Sequence, residues 1–207
     1  MCVILVCPEG VRPTPATIAA CHEVNPHGIG VAWRFNGQVR WLKGLEPEGL
    51  ERVLALVRGE IVIHFRWASV GPVIPHLCHP FPVTARATTR LSGRARAVLF
   101  HNGTWPQWRE TLKSMPSSHQ PQGRLSDTRV AASLVDLSGV DVLERLPGRY
   151  VFFDRDFTEL MGDWRKWRGM QVSNLHFLSC LGRQPATSDL WHQPSLPFSG
   201  KRGTWNT

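Results

Sequence analysis

Cys2 follows Met1, and a second residue as small as cysteine generally lets methionine aminopeptidase remove the initiator methionine. The mature chain is then expected to open on a cysteine, with a thiol nucleophile and a free α-amine on one residue. An α-amine titrates near ~7.7–8.0 and a thiol near ~8.5, so a proton passes between them at neutral pH with little bias. Such a residue carries its own base and needs no histidine to activate it. Four stretches downstream also hold chemistry-bearing side chains: His64-Phe65-Arg66-Trp67-Ala68-Ser69-Val70-Gly71, His79-Pro80-Phe81, Phe100-His101-Asn102-Gly103 and Ser126-Asp127-Thr128. Taken singly, each has an ordinary structural reading. An arginine after a strand is usually a surface cation, Asn-Gly a turn and Ser-Asp a helix cap. His79 and His101 read as hydrogen-bonded imidazoles without a catalytic role. His76, Cys78 and His79 crowd three ligand types into four residues, a poor spacing for zinc, and no Cys-x-x-Cys pair exists. Neither a metal nor another cofactor is expected.

Taken in order, the cysteine and these stretches resemble the class II glutamine amidotransferases, whose glutaminase domain is an N-terminal-nucleophile hydrolase. Asn25 to Ala32, with Gly28-Ile29-Gly30-Val31, is similar to that family's glycine loop and strand. The resemblance covers about residues 2 to 178. It implies a four-layer αββα sandwich and a reaction that takes glutamine to glutamate and ammonia through a thioester on Cys2. It implies that Arg66 pairs with the substrate α-carboxylate and Asp127 with its α-ammonium. Asn102, through its side chain, and Gly103, through its backbone N–H, would form the oxyanion hole, while Trp67 and Ser69 shape the pocket. The sequence departs from the family pattern in places. Arg-Trp-Ala-Thr-His-Gly reads here Arg-Trp-Ala-Ser-Val-Gly, Arg129 stands where an acidic residue often follows, and Leu77-Cys78 replaces Asn-Ala before His79-Pro80.

The elements that must position these residues read as a mixed set. Val3 to Val6 and Ile61 to Phe65 are short apolar runs typical of buried strands. Ile29 to Phe35 and Gln38 to Leu42 alternate and are joined by Asn36-Gly37, a strong hairpin signal. Glu46 to Arg58 has helical spacing, with Pro47 at its first turn and Gly59 beyond it. Further helices are expected over Thr14–Val24, Thr104–Met115 and Val140–Leu146, and after a Ser126 cap. Pro72 to Pro82 reads as a loop. Strands are expected at Ala97–Phe100, Tyr150–Phe153, Glu159–Met161 and Met170–Phe177. This order is no βαβα alternation, so an α+β arrangement of sheets covered by helices is expected.

The 207 residues suit one domain. Residues 1–181 are expected to form the amidotransferase-like domain and residues 182–207, rich in Pro, Ser and Gly, a loosely ordered tail. No length remains for a synthase, so the ammonia acceptor is expected on a separate protein. No apolar run reaches the ~18 residues of a membrane-spanning helix, no signal peptide is visible, and the five cysteines fit no disulfide framework. A cytoplasmic protein without membrane contact is expected. The formal charge of +8 admits a nucleic-acid partner. The densest cationic groups are Arg86, Arg90, Arg94 and Arg96, and Arg165, Lys166 and Arg168 beside Trp164 and Trp167. Two alternatives to a glutaminase therefore stand: an N-terminal-cysteine amidohydrolase for another γ-glutamyl or acyl amide, and a basic, nucleic-acid-associated protein that keeps the fold without the activity.

Overall fold

The computed structural model describes residues 1–181. The chain begins with β1 (Val3–Cys7) and α1 (Pro15–Val24), whose Thr14 side chain caps the Thr17 N–H at 3.2 Å. The hairpin β2 (Ile29–Phe35) and β3 (Gln38–Leu45) turns at Asn36-Gly37, both with positive φ, as its two-residue turn requires. Then come α2 (Pro47–Leu56), β4 (Ile61–Phe65), β5 (Phe81–Pro82), β6 (Ser92–Ala95), β7 (Ala97–Asn102), α3 (Trp108–Ser114) and α4 (Asp127–Ser138). The hairpins β8 (Arg149–Asp154) with β9 (Thr158–Met161), and β10 (Arg165–Trp167) with β11 (Met170–Val172), precede a last turn of helix, α5 (Leu178–Leu181). The tail expected over 182–207 lies outside the described residues.

Two antiparallel sheets result. One has seven strands in the order β10-β11-β1-β4-β2-β3-β6, and the other four in the order β5-β7-β8-β9. Side-chain alternation sorts the core into three layers. Val3, Leu5, Ile61, Ile63 and Val31 face outward onto Ile18 and Cys21 of α1 and Leu50 of α2. Ile4, Val6, Val62 and Trp41 face inward onto Val98, Phe100, Val151 and Phe153 of the second sheet. Leu99, Tyr150 and Phe152, on the far side of that sheet, pack against Val130, Ala131 and Val135 of α4 and Trp108 of α3. The molecule is therefore an αββα sandwich, as expected.

Element ends shift in physically readable ways. The strand expected over Met170–Phe177 stops at Val172, because Ser173 and Asn174 leave the ladder to bond Ile4 and Cys2. The loop expected over Pro72–Pro82 contains a 3₁₀ turn at Pro75–Leu77 and the two-residue β5. Val140–Arg145 is 3₁₀ rather than α-helical. β6 has no counterpart in the sequence reading. Its residues Ser92-Gly93-Arg94-Ala95 lack strand character, and it forms only because β3 offers an open edge.

Candidate active site

Strand register brings the thiol and the arginine together. Val3 pairs with Phe65 across β1 and β4, so Cys2 and Arg66 leave the sheet at the same end. The Cys2 Sγ accepts from the Trp67 N–H at 3.3 Å and its S–H reaches the Trp67 carbonyl at 3.4 Å. Asn174 Nδ2 donates to the Cys2 carbonyl at 2.6 Å and fixes the backbone behind the thiol. Burial pushes the Cys2 thiol pKa up, while the Trp67 N–H, the terminal ammonium and Arg66 pull it down.

Glycines let the surrounding backbone close in. A Cβ on Gly30 of β2 would lie 1.6 Å from the His79 carbonyl oxygen, so only glycine fits under residue 79. Gly28, at φ +101°, leaves room for Cys78 Sγ and offers its carbonyl to the Arg66 N–H at 3.0 Å. This gives the Gly28-Ile29-Gly30-Val31 stretch a structural reason.

Arg66 is 3% exposed, and its guanidinium donates to the carbonyls of Pro72 (3.0 Å), Val70 (3.5 Å) and Ile74 (3.5 Å). It makes no ion pair with a carboxylate among the described residues. Burial draws its pKa below the ordinary arginine value, and Cys78, Cys2 and Asp127 draw it back up. Asp127 sits in the first turn of α4, after the Ser126 cap, and is 5% exposed. Its carboxylate accepts the N–H groups of Trp105 (3.1 Å) and Thr128 (2.8 Å). The nearest ring nitrogen, His101 Nδ1, is 3.8 Å away. Burial pulls the His101 pKa below its usual value, while Asp127 and a backbone bond at Pro147 pull it back up.

Cys2, Arg66, Trp67, Ser69, Gly103 and Asp127 all line one cavity. Asn102 does not. It lies behind the wall, fully buried, with Nδ2 donating to Ser173 Oγ at 2.8 Å and Oδ1 unpartnered. Ser173 Oγ also accepts the Ile4 N–H at 2.8 Å, tying the end of β7 to β1. Trp67 stacks on His27 with centroids 5.0 Å apart, and Ser69 Oγ is 3.3 Å from Thr104 Oγ1. The free volume is about 20 Å³, room for one water-sized group.

Several lining groups were missed by sequence reasoning. Thr128 lines the cavity, as do His79 and His101, which were read only as structural imidazoles. His101 stacks on Tyr150 at 4.3 Å and 4°, and its backbone N–H bonds His79 Nδ1 at 3.3 Å. Ser173 had one signal, a polar pair breaking an apolar strand. Arg129, the departure from the family pattern, turns away from the cavity. Its guanidinium is held by the carbonyls of Ala87, Arg86, Gln122 and Arg124, so it binds two loops over α4.

No protein-family model matches the chain, and no curated protein matches it. Solved structures do. A glutamine phosphoribosylpyrophosphate (PRPP) amidotransferase from B. subtilis, complexed with ADP and GMP, aligns over 88% of this chain with a TM-score of 0.53 and 19% identity. The likeness is one of fold, the αββα sandwich described above. A structure titled as the allosteric regulatory enzyme of purine biosynthesis aligns over 88% as well, at a TM-score of 0.48 and 20% identity. The likeness in fold rests on the first. The chain spans 44% and 43% of the lengths of these two structures. Among the described residues no helix is long and apolar enough to cross a membrane.

Proposed function

We propose that this chain is a class II glutamine amidotransferase-like enzyme that hydrolyses the side-chain amide of glutamine with Cys2 as nucleophile. One observation carries the reading. The cavity that holds the thiol also holds a buried cation without a carboxylate partner, Arg66, and a buried carboxylate without a cationic partner, Asp127. Each pole is hydrogen-bonded by its own chain, Arg66 to carbonyls and Asp127 to N–H groups, but neither has a direct ion pair of full opposite charge, which favours a ligand that carries both counter-charges. A free α-amino acid does so, and a simple acyl amide does not.

With Met1 removed, the α-amine of Cys2 takes the thiol proton as Sγ attacks the glutamine side-chain carbonyl carbon. The developing oxyanion is held by the Gly103 N–H and, once opening of the cavity for the substrate uncovers it, by the Asn102 carboxamide now behind the wall. A half-turn of that carboxamide lets the Ser173 hydroxyl donate to Oδ1 and frees both Nδ2 hydrogens for the oxyanion. The ammonium so formed then protonates the amide nitrogen, and the tetrahedral adduct collapses, breaking its C–N bond to release ammonia and leave the Cys2 thioester. A water, deprotonated by the same amine, breaks the thioester to glutamate and returns the thiol. Glutamine does not fit a cavity of about 20 Å³, so the Val70–Ile74 segment must move away. The substrate carboxylate then replaces that segment's carbonyls on Arg66. Ammonia passes to an acceptor outside residues 1–181. The five buried, unpaired cysteines suit a reducing compartment such as the cytoplasm.

The test is an intact mass of the purified chain before and after a glutamine-analogue electrophile. Loss of Met1, one adduct on Cys2, and protection by glutamine are expected. An adduct on Cys78 instead, or a retained Met1 in an active enzyme, overturns the proposal.

A further inference from the structure

We infer that a groove at the β3–β6 edge, remote from Cys2, binds single-stranded nucleic acid. Register builds it. Trp33 on β2 pairs with Arg40 on β3, and Arg40 pairs with Arg94 on β6. Paired residues share a sheet face and neighbouring strands lie ~4.8 Å apart, so one indole and two guanidiniums form a row across the edge. Arg90 joins them from the segment before β6, where its carbonyl accepts from Trp41 Nε1 at 3.4 Å. The groove has a volume of about 800 Å³, and its walls carry three arginines and no carboxylate.

The state of each cation points to an anionic ligand. Neighbouring Arg34 is neutralised by Glu60 at 2.5 Å, and Arg96 pairs with Asp154 at 3.2 Å. Arg40, Arg90 and Arg94 make no ion pair among the described residues. Arg40 lies over the Phe35 ring at 4.6 Å, its charge unmatched by a carboxylate. Guanidiniums without carboxylate partners are what phosphate oxygens satisfy.

Shape and aromatic content choose among anions. A second cavity, of about 380 Å³, shares Trp33 and Arg40 and continues past Phe35 to Arg58, again without a carboxylate. Phe35 is 49% exposed. Cations and aromatic faces alternating along two joined cavities suit a strand whose phosphates meet arginines while its bases stack. A duplex hides its base faces, and an acidic peptide has no use for the rings. The second basic stretch of the sequence is built differently. Arg165 pairs with Asp163, Trp164 Nε1 bonds the Met161 carbonyl, and Trp167 packs edge-on against Phe177.

The groove shares no lining residue with the Cys2 cavity, and the inference stands apart from the glutaminase proposal. Fluorescence anisotropy of the full chain with labelled dT and rU 12-mers, at ~50 and ~200 mM salt, tests it. Salt-sensitive binding is expected. Arg40→Gln with Arg94→Gln should weaken it at least about tenfold and flatten the log–log salt slope by ~1.4, at ~0.7 for each phosphate no longer neutralised. Trp33→Leu should weaken it about tenfold by removing a stacking platform. Arg165→Gln with Lys166→Gln should leave it unchanged. A thermal melt establishes that each variant is folded. The inference is overturned by no binding at ~50 mM salt, by a duplex or poly-glutamate binding as tightly, or by ADP competing as strongly as the oligomers. Unchanged affinity in a folded Arg40→Gln/Arg94→Gln chain overturns it as well.

Discussion

Around Cys2 the cavity has room for one water, and its arginine donates to three carbonyls of its own chain. At the β3–β6 edge the space is about 800 Å³ and Arg40 makes no ion pair among the described residues. Both regions lie on the seven-stranded sheet, and both carry arginine beside tryptophan. They differ in what the chain supplies. At the strand ends, loops converge and the protein satisfies most of its own polar groups, so a ligand must displace them. At the sheet edge no carboxylate lines the space, so its three arginines stay without ion pairs among the described residues. Closed sites of the first kind suit chemistry, where water must be excluded. Open ones suit a long polymer held by many weak contacts.

The sharpest break of this comparison is Cys2→Ala. If the closed region alone is catalytic, ammonia release from glutamine falls to the uncatalysed background while the far-ultraviolet circular dichroism stays native. Wild-type turnover in the alanine variant would move the chemistry elsewhere. Next is Asn102→Ala, which removes the proposed oxyanion donor. Loss of one such donor typically lowers turnover ~10²–10³-fold. Ser173→Ala should lower turnover as well, by less, because Ser173 bonds the proposed donor Asn102 and does not line the cavity. Steady-state kinetics should show both losses in kcat rather than KM.

Acid sharpens the comparison through stability. His64, His79 and His101 are buried beside the cavity, and none of them lines the groove. Burial holds His64 at about 3 and keeps the other two below the ordinary 6.5. Below pH 6.5 the unfolded chain therefore takes up protons that the folded chain refuses. Stability is full above that pH and falls as the pH drops, at up to ~1.4 kcal/mol per pH unit for each imidazole. Urea melts from pH 8 to 4.5 should show the fall. His64→Phe should shallow it by about one proton, because neither ring nitrogen of His64 has a hydrogen-bond partner to lose. A wild-type slope unchanged in that variant would mean that His64 is protonated in the folded state.

Much of this was legible in the residues. The Asn36-Gly37 hairpin, the apolar runs of β1 and β4 and the Ser126 cap are local signals, and each appears where its chemistry places it. Six of the seven proposed site residues line one cavity because they sit at strand ends and a helix start. What escaped was non-local. β6 exists only through pairing with β3, and no window of its own sequence encodes that. Ser173 meets Asn102 across 71 positions of sequence. The groove arginines read as part of a dispersed charge. Only the folded chain separates Arg90 and Arg94, which line the groove without ion pairs, from Arg86, which bonds the Gln120 carbonyl, and from Arg96, which is ion-paired.

The smallest expected effect is also the most direct contrast between the two regions. Arg66→Gln and Arg94→Gln remove the same charge from the same fold. Arg66 is 3% exposed, and its loss leaves the Val70, Pro72 and Ile74 carbonyls short of donors. Hydrogen bonds from charged donors contribute ~1.5–3 kcal/mol, and a buried acceptor left alone costs ~1–3 kcal/mol. The shorter glutamine reaches some of those carbonyls, so a net loss of about 1–2 kcal/mol is expected. Arg94 is exposed and makes no ion pair among the described residues. Its replacement should change stability by less than ~0.5 kcal/mol, the usual range for surface positions. It should even stabilise slightly, since Arg40 lies directly across the ladder and the two cations repel. Paired urea melts at one pH and low salt measure both. A loss at Arg94 equal to that at Arg66 would mean that the groove arginine serves the fold and is not held free for a ligand.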